Sequence, residues 1–103
     1  MVEFAHPFSG LTPKHTLTHQ ELIRAIRQMV AAEYEAVQLY TQLAEATNNP
    51  LAAAVLTDIA REELVHAGEF LRLLQELAPD ETRLYEEGSQ EVEELIRRKA
   101  WNR

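Results

Sequence analysis

Three residues of this 103-residue chain combine metal-binding chemistry with a spacing that can use it: Glu33, Glu63 and His66. Glu63-Leu64-Val65-His66 is a Glu-x-x-His step, which on a helix aims both side chains the same way from one turn. Glu33 lies some fifteen residues before the segment Thr47-Asn48-Asn49-Pro50, and Glu63 some fourteen after it. If the chain reverses there between two helices of equal rise, the two carboxylates fall within about one residue of the same level, since each residue adds about 1.5 Å. Hard carboxylate oxygens joined by an imidazole nitrogen suit Fe(II), Mn(II) or Zn(II) better than calcium or magnesium. The competing reading is a structural polar cluster that fixes helix register. It has to explain two acids that nothing basic in the same seams neutralises.

The elements that must position these residues are two long helices. Thr18 and Glu21 form an S/T-x-x-E capping box, so a first helix is expected from about residue 18 up to Thr47. Asn49 can cap a second helix with Pro50 at its first position, and that helix meets no breaker before Ala78 and Pro79-Asp80. Residues 1 to about 17 hold two prolines, a glycine and no sustained period, and read as an irregular arm. Residues 79–103 read as a tail: a helical piece over Asp80–Glu87, a break at Gly88-Ser89, and a short amphipathic helix with Val92, Leu95 and Ile96. The expected class is therefore all-α, an antiparallel two-helix hairpin over 18–78 with a short C-terminal helix.

A seam stepping by three and four runs through Leu22, Ile26, Met29, Glu33, Ala36, Tyr40, Leu43 and Thr47. Its counterpart is Ala52, Leu56, Ile59, Glu63, His66, Phe70, Leu73 and Leu77, so the three site residues interrupt otherwise mostly apolar rows. The second helix carries another apolar seam beside this one: Ala53, Ala60, Leu64, Ala67, Leu71 and Leu74. A stripe that wide exceeds what one partner helix covers. A second copy of the chain is the simplest source of cover, giving a four-helix bundle with two-fold symmetry. The same symmetry would double the polar set to four glutamates and two histidines.

Bulk composition narrows the field. Ten basic against seventeen acidic side chains leave a net charge of −7, which disfavours nucleic acid and anionic membranes as partners. The absence of cysteine excludes disulfides, thiolate zinc sites and iron–sulfur clusters from this chain. No apolar run reaches the roughly 20 residues of a membrane span, and no signal-peptide layout opens the sequence, so the expected location is cytoplasmic.

With these residues in view, the chain resembles the ferritin/rubrerythrin superfamily cut in half. More narrowly, Ala32-Glu33-Tyr34-Glu35-Ala36-Val37-Gln38-Leu39-Tyr40 and Arg61-Glu62-Glu63-Leu64-Val65-His66-Ala67 are similar to the half-length encapsulated ferritins, over roughly residues 20 to 78. The resemblance implies a ferroxidase that oxidises Fe(II) to Fe(III) at a di-iron centre shared across a dimer interface, in iron storage or detoxification. It implies Glu33 as a carboxylate ligand, Glu63 as a bridging carboxylate, His66 as the nitrogen ligand and Tyr40 as a tyrosine beside the centre. Glu35 matches an acidic residue on the iron approach, whereas Ala32 and Leu39 depart from the pattern there. It also implies a homodimer, a larger even-numbered homo-oligomer, and an encapsulin shell as possible partner, although Gln90 to Arg103 holds no obvious targeting tail.

Two other functions remain open from the sequence: a rubrerythrin-like peroxidase at the same centre, and a non-enzymatic metal-binding helical dimer. The missing cysteines remove the usual rubredoxin-type relay from the first of these. Glu62 and Glu69 read as solvated or outer residues. His6, His15 and His19, in or beside the arm, read as surface histidines, and Trp101 as an assembly contact.

Overall fold

In a computed structural model of the chain, residues 16–99 are described. They form three helices and, among the described residues, no strand: α1 His19–Ala46, α2 Pro50–Leu77 and α3 Pro79–Arg98. The two cysteine-free 28-residue helices α1 and α2 make the antiparallel hairpin.

Both hairpin helices start where their caps require. The Thr18 hydroxyl accepts from the Glu21 amide at 3.1 Å, and the Glu21 carboxylate accepts from the Thr18 amide at 2.9 Å, so the capping box is closed both ways. Asn49 Oδ1 accepts from the Ala52 amide at 2.9 Å, with Pro50 at the first helical position. Thr47 ends α1 and its hydroxyl accepts from the Asn49 amide at 3.1 Å, which makes the reversal tight.

The tail differs from expectation. A single 20-residue helix runs through Gly88-Ser89 without a break, so neither the separate Asp80–Glu87 piece nor the later short helix exists as such. An interior glycine costs only about 1 kcal/mol relative to alanine. Against that, Asp80 and Glu81 in the first turn and Arg97 and Arg98 in the last complement the helix dipole. Asp80 pairs with Arg83, and Glu94 with Arg97 and Arg98, along the same helix. Lys99 closes α3 in the left-handed region at φ 53°. The expectations for the arm before residue 16, including His6 and His15, and for Trp101 lie outside the described residues.

The seam of α2 that meets α1 also differs from the expected counterpart of the Glu33 seam, the row through Glu63 and His66. The buried residues are Ile23, Ile26 and Val30 on α1 and Ala60, Ala67 and Leu74 on α2. Thus α1 packs on the Ala53–Ala60–Ala67–Leu74 seam, where small residues let the backbones approach and branched side chains fill the gap. The seam holding Glu33, Glu63 and His66 is displaced to one flank. There Leu22, Met29, Ala36, Tyr40, Leu56, Ile59 and Phe70 are half-buried, and Leu43 and Leu73 are exposed. One hairpin has covered one of two seams and left the other partly open.

A core cluster sits at the end of the hairpin away from the loop. Ile23, Ile26 and Leu74 form it, with Leu22, Phe70, Leu77 and Ala78 packed against them. Beyond it α3 departs, and none of its residues is buried. The described chain is correspondingly flat, 49 × 46 × 21 Å.

Candidate metal centre

Glu33 comes from the middle of α1, and Glu63 and His66 come from the middle of α2. The antiparallel register brings them together as the level count requires: one ligand atom from each lies within 4.8 Å of the others. His66 Nδ1 stands 3.7 Å from Glu33 Oε2 and 3.6 Å from Glu63 Oε2. Those separations exceed a hydrogen bond, so the imidazole faces both carboxylates without being tied to either. The carboxylates are sunk into the flank, their side chains 17% and 20% exposed, while His66 is 47% exposed.

Glu33 Oε2 is buried and has no hydrogen-bond partner. A buried carboxylate oxygen left unsatisfied costs free energy that a cation at this point would recover. Two oxygens and a nitrogen, all within reach of one ion, form an acceptor-rich donor set of the type that binds divalent first-row metals. Among the described residues no other group of three or more histidine, aspartate or glutamate side chains is so arranged.

The remaining candidates fall outside this trio. Tyr40 is half-buried two turns from Glu33 toward the loop, on the same flank. Glu35 is half-buried, and Glu62 and Glu69 are exposed. His19 is engaged elsewhere: its Nε2 donates to the Leu77 carbonyl at 2.8 Å, satisfying one of the free carbonyls at the end of α2. The other flank of the hairpin has a groove whose lining mixes apolar side chains such as Val37, Ala60 and Leu64 with the charged Glu45 and Arg61. It brings together no such group of three histidine, aspartate or glutamate side chains, so the candidate metal site is the Glu33 flank.

A hairpin of two long helices, presenting two glutamates and a histidine at one level of an open flank, is a ferritin-like arrangement. The chain matches the family model described as Rubrerythrin over residues 12–102 and belongs to that family. It is 38% identical over 78 residues to a ferritin-like–encapsulin shell fusion protein of Pyrococcus furiosus, covering 76% of this chain and 23% of that protein. It is 38% identical over 76 residues to the encapsulin nanocompartment cargo protein EncC of Myxococcus xanthus, covering 74% of this chain and 58% of that one. The chain thus spans less than two thirds of either curated relative. The crystal structure of the encapsulated ferritin domain from Pyrococcus furiosus superposes with a TM-score of 0.80 at 32% identity, covering 90% of this chain and 95% of that domain. Among the described residues no helix is long and apolar enough to cross a membrane.

Proposed function

We propose that this protein is a ferroxidase, binding Fe(II) at Glu33, Glu63 and His66 and oxidising it to Fe(III). The observation that carries the reading is the convergence of those three donors on a half-open apolar flank, with Glu33 Oε2 lacking a partner. One chain supplies too few ligands for a buried pair of irons. A second copy seated on the same flank would add the same three side chains and cover Met29, Ile59 and Phe70 as it did so. Family membership and the encapsulated-ferritin likeness support both parts of this reading.

In this scheme Glu63 would serve as the bridging carboxylate, and Glu33 and His66 would each hold one iron. Clustered carboxylates favour the ferric product because they interact more strongly with a 3+ than with a 2+ ion. Two Fe(II) lose one electron each to dioxygen or peroxide, the acceptor being reduced with uptake of protons from water. Tyr40, on the same flank, is placed in the scheme as a hydrogen-bonding or redox-tuning neighbour. Residence in an encapsulin shell belongs to the same proposal, on the strength of the two encapsulin-associated relatives.

Anaerobic Fe(II) titration followed by admission of air tests it. Two irons bound per dimer and ferric absorbance on aeration are expected. A compact monomer that binds no metal at micromolar protein would overturn the reading.

A further inference from the structure

A further ionic cluster lies at the elbow between the hairpin and α3, and the site chemistry makes no use of it. Only Ala78 separates α2 from α3. It is at once the last cap of α2 and the first of α3, at φ −135° and ψ 68°, and no side chain caps α3. The Ala78 carbonyl alone accepts from the Glu81 and Thr82 amides, at 3.1 and 3.2 Å. No α3 residue is buried, so apolar packing has little hold on the helix beyond its first turn.

Against this loose joint stands a long-range cluster in which Arg27 of α1 faces both Glu81 and Tyr85 of α3. Arg27 on α1 places both Nε, at 2.8 Å, and Nη2, at 2.6 Å, on Glu81 Oε1. Glu81 is the most enclosed acidic side chain of α3 in an ion pair, 19% exposed against 87% for Asp80 and 43% for Glu94. Its other oxygen is buried without a partner. Tyr85 sits one turn on. Its phenol is held above its ordinary pKa, first by desolvation and then by the Glu81 carboxylate, although the residue as a whole is exposed. Glu81 in turn holds the Arg27 guanidinium above its usual value.

We propose that the Arg27–Glu81 pair is a clasp that sets the angle at which α3 leaves the hairpin, with Ala78 as its hinge. The angle decides where the exposed row Leu84, Val92, Leu95 and Ile96 is presented. An arginine suits the task, since two of its donors fix direction as well as distance. The clasp acts whether or not the metal site oxidises iron.

The chain contains no cysteine, so cysteines introduced at the exposed positions Gln38 on α1 and Gln90 on α3 take spin labels at those two places alone. Electron–electron distance measurement on the full chain, diluted into excess unlabelled protein, then reads the α1-to-α3 distance within one molecule. The parent should give one narrow distance peak. Arg27→Ala and the isosteric Glu81→Gln should each lose that peak to a broad or shifted distribution, with helicity by circular dichroism unchanged. Arg83→Ala removes an exposed pair with Asp80 on the same turn and should keep the narrow peak. Superimposable distributions for the parent, Arg27→Ala and Glu81→Gln would overturn the clasp. Equal broadening by Arg83→Ala would do so too, since any loss of charge near the elbow would then suffice.

Discussion

Glu33 and Glu81 are the two described residues with a buried side-chain oxygen that lacks a hydrogen-bond partner, and they differ in what faces them. Glu81 faces a guanidinium, a charge that is permanent over any ordinary pH. Glu33 faces a second carboxylate and a half-exposed imidazole, neither of which is a permanent cation. The first carboxylate carries its own counter-ion and reads as architecture. The second is grouped with another carboxylate at a cost, and a bound cation would relieve that cost.

The comparison breaks most decisively at the flank. Glu63→Ala and His66→Ala should each abolish ferric absorbance on aeration while leaving a helical dimer at least as stable as the metal-free parent, because acid–acid repulsion is reduced or unchanged. Glu33→Ala should behave alike, whereas exposed Glu62→Ala should lose less activity. If Glu63→Ala and His66→Ala oxidise two irons per dimer at the parent rate, the site is not at these residues.

Metal should come next in size. A ligand at a hundred times its dissociation constant adds about 2.7 kcal/mol to the state that binds it. Excess Co(II) or Zn(II) should therefore raise the calorimetric Tm by about 10 °C or more, and chelator should reverse the shift. Acidification should abolish this increment, since protons compete for the imidazole and both carboxylates. A Tm indifferent to metal at neutral pH would remove the distinction between the two carboxylates.

Charge removal without loss of shape sharpens the contrast further. Glu33→Gln should leave the metal-free Tm unchanged or higher, and Glu81→Gln should lower it, because only Glu81 loses a permanent partner. The smallest effect is expected at Gly88, where an added Cβ meets nothing within 4 Å. Gly88→Ala should stabilise α3 by about 0.5–1 kcal/mol, read as a small rise in helicity and Tm.

The common level of Glu33, Glu63 and His66 was legible in the sequence; their place on a flank and the elbow were not. Glu33, Glu63 and His66 announce themselves because polar residues interrupt periodic apolar rows, and counting out from the Asn48-Asn49 reversal sets them level. The caps Thr18, Glu21, Asn49 and Pro50 are local and mark the helix starts directly. Which α2 seam α1 would take was harder to read, because both are apolar and adjacent on one helix. The small volumes of Ala60 and Ala67 decided it. Gly88 misled because a turn-forming residue has no turn to form inside an otherwise well-paired helix. Arg27 and Glu81 are 54 positions apart, on helices that share no pattern, so nothing in the sequence pairs them.

The single-residue joint at Ala78 makes α3 sensitive to phase. One residue inserted there would rotate all of α3 by about 100° about its own axis and advance it by about 1.5 Å. Glu81 would turn away from Arg27, and the row from Leu84 to Ile96 would point elsewhere, although every side chain within α3 kept its neighbours along the helix. The three-residue reversal Thr47–Asn49 lies at the far end of the hairpin from this elbow. Length variation among relatives should therefore collect at that reversal or beyond Arg98, and be purged at Ala78.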